Sequence, residues 1–373
     1  MLYFLGLGTW GFGGPIATVG YMQRDLVEDR QWLARQDMLD GIALGQTMPG
    51  PLAAQVAMWV GYLRRGAFGA LGTAGAFILP SFLLVLAIGY AYVRYQGLHF
   101  VQSLFYGISP AVIAIVALAA WKLARLTDAK DIRLWSITGI VALVTAVTGT
   151  EVALLIIAAG LAILLWDAPP GWIPWRRATG ILWTPLQLGS GLAGLASASI
   201  LFALFLFFLK AGTFIFGSGL AIVPFLRQGV VLENHWLTER QFLDAVAVGL
   251  ITPGPVVITA VFIGYLVAGL PGAIVSGLGI FTPIYLGVVI PGRWFIRHRG
   301  YRRVRAFVKG ATAGAAGAIV GATVVLARGA IVDVATALIA AVSLLYLLQI
   351  KFKLKKPVLI FATGLLGLAL HGV

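Results

Sequence analysis

Two tripeptides, Pro49-Gly50-Pro51 and Pro253-Gly254-Pro255, stand 204 residues apart, each inside an apolar run long enough to cross a bilayer. Proline has no N–H and clashes with the preceding turn, so a helix must stop there. The half-helix that restarts presents N–H groups without partners and the positive end of its dipole. Such an end holds an anion without any cationic side chain. Gln46, Thr47 and Thr252 flank the two breaks. Their donors suit an oxyanion, and they suit loose backbone carbonyls equally well. A second pair of breaks holds Gly13 and Gly14 in "GFGGP" and Gly217, Ser218 and Gly219 in "FGSG". Glycine lets backbone approach a ligand, and it equally permits tight helix packing. Thr9 and Thr213 lie just before these breaks, and Lys210 sits within "FLFFLKAGTFIFG". A lysine inside a membrane segment marks function by default. Here the segment boundary favours a snorkelling side chain. Asp40 and Asp244 also match, and either could carry a coupling proton. A first-turn carboxylate favoured by the helix dipole is the preferred reading.

The elements that position these residues follow from composition. The chain has 373 residues, 60% hydrophobic and 11% charged, with a mean hydropathy of +0.96. That places it in a membrane, since soluble domains carry roughly 25% charged residues. The net charge of +14 comes from Lys and Arg at the ends of apolar segments, as the positive-inside rule expects, and not from a nucleic-acid surface. No cysteine and four scattered histidines exclude thiolate chemistry and offer no metal site. No basic n-region of a signal peptide precedes "MLYFLGLGTWGFGGP". Residues 24–40 carry both signs and read as an interfacial helix and loop anchored by Trp32, with Arg24 pairing to Glu28. At roughly 20 residues per crossing the apolar runs predict about 12–13 membrane segments.

The chain repeats itself. "FLGLGTWGFGGPIATV" (4–19) matches "FLKAGTFIFGSGLAIV" (208–223), and "WLARQDMLDGIALGQTMPGP" (32–51) matches "WLTERQFLDAVAVGLITPGP" (236–255). A one-residue deletion later, "GYLRRGAFGA" (61–70) matches "GYLVAGLPGA" (264–273). An apolar lead-in at 183–207 has no counterpart before Met1. Thr238 and Gln241 form a capping box, so a helix starts near Glu239 and its counterpart near Arg35. Basic connections at Arg64-Arg65, 122–133, Arg176-Arg177, 293–309 and 351–356 are expected in the cytoplasm. If each apolar segment crosses, the two PGP segments run in opposite directions. The expected fold is therefore all-α and integral to the membrane. It has two homologous inverted repeats, 1–180 and 181–373, with helices broken at the PGP and FGGP motifs. Such repeats place a transport site near the midplane.

"FGGPIATVGYMQRDLVEDRQWL", "DGIALGQTMPGPLAAQVAMWVGYLRRG" and the echoes "FGSGLAIVPFL" and "GLITPGPVVITAVFIGYL" resemble the chromate ion transporter family in its long two-domain form. The resemblance covers almost the whole chain. It implies a multi-pass protein of the cytoplasmic (inner) membrane that exports chromate, with sulfate as a related dianion. The chain departs from the family where Thr18 replaces the histidine common after FGGP, which removes a proton role at that position. The expected partners are a chromate or sulfate-like oxyanion, the lipid bilayer and a second copy of the chain in a homodimer, with no nucleic acid and no cofactor. The rivals are a transporter or channel for another small anion, a membrane reductase and a structural subunit. The reductase has no cysteine and no cofactor motif to work with, and the structural subunit has no use for matched breaks.

Overall fold

The computed structural model describes all residues except 12–14, 96–98, 129–130, 149–152, 169–199, 216–218, 220–221, 293–301, 350–355 and 372–373. The described residues are helical, with no strand among them. The first part contains α1 (Leu2–Trp10), α2 (Pro15–Gln23), α3 (Arg35–Thr47) and α4 (Leu52–Tyr95). Next come α5 (His99–Asp128), α6 (Ile132–Thr148) and α7 (Ala153–Asp167). The later part contains α8 (Ile200–Thr213), α9 (Ile222–Arg227), α10 (Glu239–Ile251) and α11 (Thr259–Val289). It closes with α12 (Arg302–Ala330), α13 (Val334–Leu348) and α14 (Lys356–His371).

The sequence repeat reappears in backbone detail. Wide turns follow α2 and α9, where Arg30 N–H donates to Asp25 O (3.1 Å) and Asn234 N–H to Gly229 O (3.0 Å). Gln31 and His235, both at φ +50°, then redirect the chain. Both helices before PGP begin where expected, at Arg35 and Glu239. The Thr238–Gln241 capping box is formed in full. Thr238→Ala is therefore expected to cost about 1 kcal/mol, read as a lowered melting temperature in detergent.

α4 and α11 each contain a reversal. Arg65 (φ −142°, ψ 28°) and Gly66 (φ 57°, ψ −147°) match Ala268 (φ −143°, ψ 28°) and Gly269 (φ 60°, ψ −150°). Gly61 lies against Gly69 and Thr73, so the chain turns back on itself. Gly264 meets Gly272 and Ser276 in the same way.

The PGP segments are not single crossings, as the sequence had suggested. Trp59 Nε1–H donates to Asp37 O at 2.9 Å. Along a continuous helix those residues would lie about 33 Å apart. Gly41 packs on Trp59, and Gly45 on Leu52 and Gln55. Residues 35–47 and 52–64 are thus the antiparallel arms of a hairpin with PGP at its tip. Gly249 packs on Thr259 in the second copy. Glycine next to a proline lets the chain reverse where a helix cannot continue. Against the 12–13 membrane segments expected, four described helices are long and apolar enough to span: Gln102–Arg125, Arg305–Ala330, and Leu52–Tyr95 and Val256–Val289 counted across their reversals. Five more apolar helices have 10–17 residues.

α12 binds α6 and α7 through a stripe of small residues, with Gly317 against Thr138, Gly321 against Ala142 and Gly310 against Ala159. At the end of that bundle Asp131 meets Arg133 (2.8 Å) and Lys309 (3.1 Å), and Arg133 meets Asp167 (3.0 Å). The Arg133 guanidinium, with help from Lys309, holds the Asp131 carboxyl well below the usual carboxylate range. Its contribution to stability is present above the ordinary aspartate pKa and fades as the pH falls below it. Arg24 pairs with its neighbour Asp25 (2.9 Å) and not with Glu28, because the wide turn shifts the i, i+4 register. Trp32 is partly exposed and lies under Arg30 (4.9 Å) and Arg64 (5.8 Å).

Candidate functional site

The two PGP turns reach across to the opposite copy. A Cβ built on Gly50 would lie 3.0 Å from Ile284 Cγ2, and one on Gly254 would lie 3.0 Å from Ser81 Oγ. Ser81 and Ile284 are themselves matched positions. Gly89 against Tyr265 and Gly292 against Tyr62 form a second reciprocal pair. Reciprocal contacts of this kind are those of a two-fold arrangement. Gly50 N–H donates to Ile215 O (2.6 Å), tying the first PGP turn to the residue that precedes FGSG in the second copy. Gly219 there is buried, with Val256 Cβ 3.6 Å and Pro51 Cβ 4.0 Å from its Cβ position. Ile215 and Gly219 thus meet the PGP segments in one place.

The backbone supplies the donors. α4 begins at Leu52, and Gln55 N–H closes its first bond to Pro51 O (3.1 Å). The N–H groups of Leu52, Ala53 and Ala54 then have no intrahelical acceptor. In the second copy a short 3-10 turn, Val256–Ile258, opens α11. Pro51 and Pro255 stand just before the first helical residue, one place earlier than the first-position role suggested by sequence. Gly50 (φ +142°) and Gly254 (φ +101°) occupy backbone that other residues rarely adopt.

Gln55 was missed by sequence reasoning. It is fully buried, and its Nε2 donates to Pro49 O (2.9 Å) and Met48 O (3.4 Å). The amide therefore covers carbonyls at the negative end of α3, which would otherwise oppose an anion. Its Oε1 is buried and unpartnered. The available signal was a lone glutamine in "PLAAQVAMWV", one turn past the break. Ser81 was also missed, because nothing in "ILPSFLL" shows which turn it will meet.

The other predicted residues divide. Pro51, Thr252, Pro253 and Pro255 are buried at the turns, and Pro49 and Gly254 are half-buried. Thr252 Oγ1–H is turned onto Gly249 O (3.3 Å). Gln46 is exposed, and Thr47 ends α3. Thr9 and Thr213 donate to their own helices, at Leu5 O (2.8 Å) and Lys210 O (2.6 Å). Lys210 is exposed, its Nζ over the Phe225 ring (5.8 Å), in keeping with snorkelling. Gly13, Gly14, Gly217 and Ser218 lie outside the described residues.

A cavity of about 470 Å³ opens between α1, α2 and the wide turn that follows, lined by Tyr3, Trp10, Tyr21, Asp25 and Arg30. Tyr3 Oη–H donates to Asp25 Oδ2 (3.1 Å), and Arg30 lies over the Tyr3 ring (5.2 Å). At the positions in the second copy that match Tyr3 and Tyr21, Phe207 stacks on Phe225 (5.6 Å).

These turns sit on sequence motifs that recur in known proteins. A family model described as "Chromate transporter" matches residues 1–164 and 202–368. The chain belongs to the chromate transporter family. Over 371 residues it is 50% identical to a "Chromate transport protein" of Cupriavidus metallidurans, covering 100% of this chain and 92% of that protein. A "Probable chromate transport protein" of Synechococcus elongatus is 48% identical, covering 98% of this chain and 93% of its own. A "Chromate transport protein" of Pseudomonas aeruginosa is 29% identical, covering 98% and 90%. No solved structure matches the chain. Membership of a transporter family, together with the apolar helices, makes this a multi-pass membrane protein. Within the family pattern, Thr18 is buried and its hydroxyl donates to Gly11 O (3.4 Å), tying α2 to the end of α1.

Proposed function

We propose that the protein exports chromate across the cytoplasmic membrane through a site between two inverted repeats, 1–180 and 181–373. The observation that carries this reading is the reciprocal seating of Gly50 on Ile284 and Gly254 on Ser81, which brings both PGP turns to the repeat interface. The ion is held chiefly by backbone N–H groups at the start of α4 and α11, with Pro49, Gly50 and Pro51 and Pro253, Gly254 and Pro255 shaping the turns. Gln55 keeps the opposing carbonyls covered. A compact dianion suits this arrangement, so sulfate competes. Outward movement of a dianion from a negative-inside cell is favoured by about 2.3 kcal/mol per charge for each 100 mV.

Inversion follows from charge. Arg64-Arg65 precedes helical residues 67–86, whereas the basic run 293–309 follows the matched residues 270–289. The positive-inside rule puts opposite ends of matched helices in the cytoplasm. The absence of native cysteine makes the test direct. Arg65→Cys is expected to react with a membrane-impermeant maleimide from the cytoplasmic side, and Ala268→Cys from the other side. Labelling of both from one side rules out inversion.

Transport itself is tested in vesicles of purified protein. Chromate flux is expected to follow an imposed potential and to fall when sulfate is added. Flux carried for nitrate but not for chromate favours another small anion on the same scaffold, and chromate flux indifferent to potential removes the potential as its driving force.

A further inference from the structure

Asp244 is 2% exposed, yet it forms no ion pair among the described residues. Its Oδ2 accepts a hydrogen bond from Tyr92 Oη–H at 2.6 Å, and its Oδ1 is buried with no partner. Asp244 lies on the α10 arm of the second PGP hairpin, while Tyr92 lies on α4 of the first copy. The bond therefore crosses the interface on which the transport site is proposed. Aromatic rings enclose it: Tyr92 stands edge-on to Phe105 of α5 (5.6 Å) and Phe262 of α11 (5.4 Å). The titratable and charged groups acting on Asp244 are Tyr92 and Arg240. Arg240, one turn earlier on the same helix, instead sends its guanidinium to Gln102 O (3.3 Å). The matched Asp40 is held differently, with its Oδ1 accepting from Gln36 Nε2 (2.8 Å).

We propose that Asp244 is a proton-binding site coupled to the anion, with Tyr92 its hydrogen-bond partner across the repeat interface. A buried carboxyl with one neutral donor and one bare oxygen is poorly placed to hold a charge. Its proton is the mobile ligand. The end of α10 at Ile251 is about 10 Å along the helix from Asp244, and the PGP tip lies just beyond it. A carboxylate there repels a dianion at the tip, and the neutral acid does not. Anion and proton therefore favour one another's binding, and the coupling is reciprocal. Motion of one repeat against the other makes or breaks the Tyr92 bond and so changes the affinity for the proton. Asp244 thereby gives the proposed transport a dependence on pH as well as on potential.

This inference rests on the proposed chromate transport at the repeat interface, and the experiment separates the two. Purified protein in vesicles containing a pH-sensitive dye receives an inward chromate gradient at zero potential, and flux is measured from pH 5.5 to 8.5. For the unaltered protein, flux is expected to rise as pH falls, and the lumen to acidify with chromate entry. Asp244→Asn is expected to move chromate with only the proton signal that chromate's own protonation gives, and to lose its share of the pH dependence. Chromate's own protonation affects both proteins alike, so the difference between them isolates Asp244. Tyr92→Phe removes the donor that stabilises the carboxylate, so its inflection should move to higher pH. It also serves as the test if Asp244→Asn fails to insert. No chromate flux in the unaltered protein defeats the transport reading itself. Chromate flux with an unchanged pH profile and proton signal in Asp244→Asn overturns the proton site alone, as does an unshifted profile in Tyr92→Phe.

Discussion

Gly50→Val is expected to lower chromate transport about a hundredfold while leaving the protein in the membrane, since ångström-scale displacement of a positioned site costs on that order. Gly50 holds φ at +142°, which a β-branched residue does not tolerate. A side chain there would also press on Gln55 Nε2, 2.8 Å from the Cβ position, and on Ile284 Cγ2, 3.0 Å away. The turn has to move, and the Gly50 N–H bond to Ile215 O (2.6 Å) is lost with it. Gly254→Val carries the same kind of backbone strain (φ +101°) but presses only on Ser81, whose hydroxyl can swing aside, so the loss there is smaller. Ile284→Ala is expected to rescue Gly50→Ala in part, by removing one of the two obstructions. Initial uptake into inverted vesicles at limiting chromate, normalised to protein, measures all four variants. A Gly50→Val protein that transports normally would remove the PGP turn from the ion's path.

Gln55→Glu is expected to be nearly as damaging at neutral pH and to recover as the pH falls. The native amide gives its two hydrogens to Pro49 O and Met48 O. A carboxylate gives none, and it sets a buried charge against two carbonyl oxygens. Leaving one such group unpaired costs about 1–3 kcal/mol, or roughly ten- to a hundredfold in an equilibrium constant. On protonation the acid can donate one of the two bonds, so transport returns in part at low pH. Gln55→Leu loses both bonds without adding charge, and its deficit should not depend on pH beyond that of the unaltered protein. Identical pH profiles for Gln55→Glu and Gln55→Leu would discard the proposed amide role. Both variants are read as the chromate concentration at half-maximal rate, because a role in shaping the anion site raises that concentration before it lowers the maximal rate.

Much was legible in the sequence, and for local reasons. Membrane residence follows from 60% hydrophobic composition, because apolar side chains have no other solvent in which so long a chain can keep them. The helix starts at Arg35 and Glu239 and the helix ends just before each PGP are decided within a few residues. Capping oxygens, missing N–H groups and ring clashes act at that range. The repeat was visible because matched residues impose matched dihedrals, down to the reversals at Arg65-Gly66 and Ala268-Gly269. Tertiary structure decided what lies beyond the reach of a turn. Whether the chain crosses or folds back after Pro51 depends on Trp59 finding Asp37, a contact between residues that no local rule pairs. The environment of Asp244 depends on Tyr92, 152 residues away on another helix, whereas its sequence twin Asp40 meets Gln36 on its own helix. Sequence fixes what each helix end can offer. Only packing decides which groups stand opposite it, because burial energy is shared over many distant contacts and no single stretch of chain carries it.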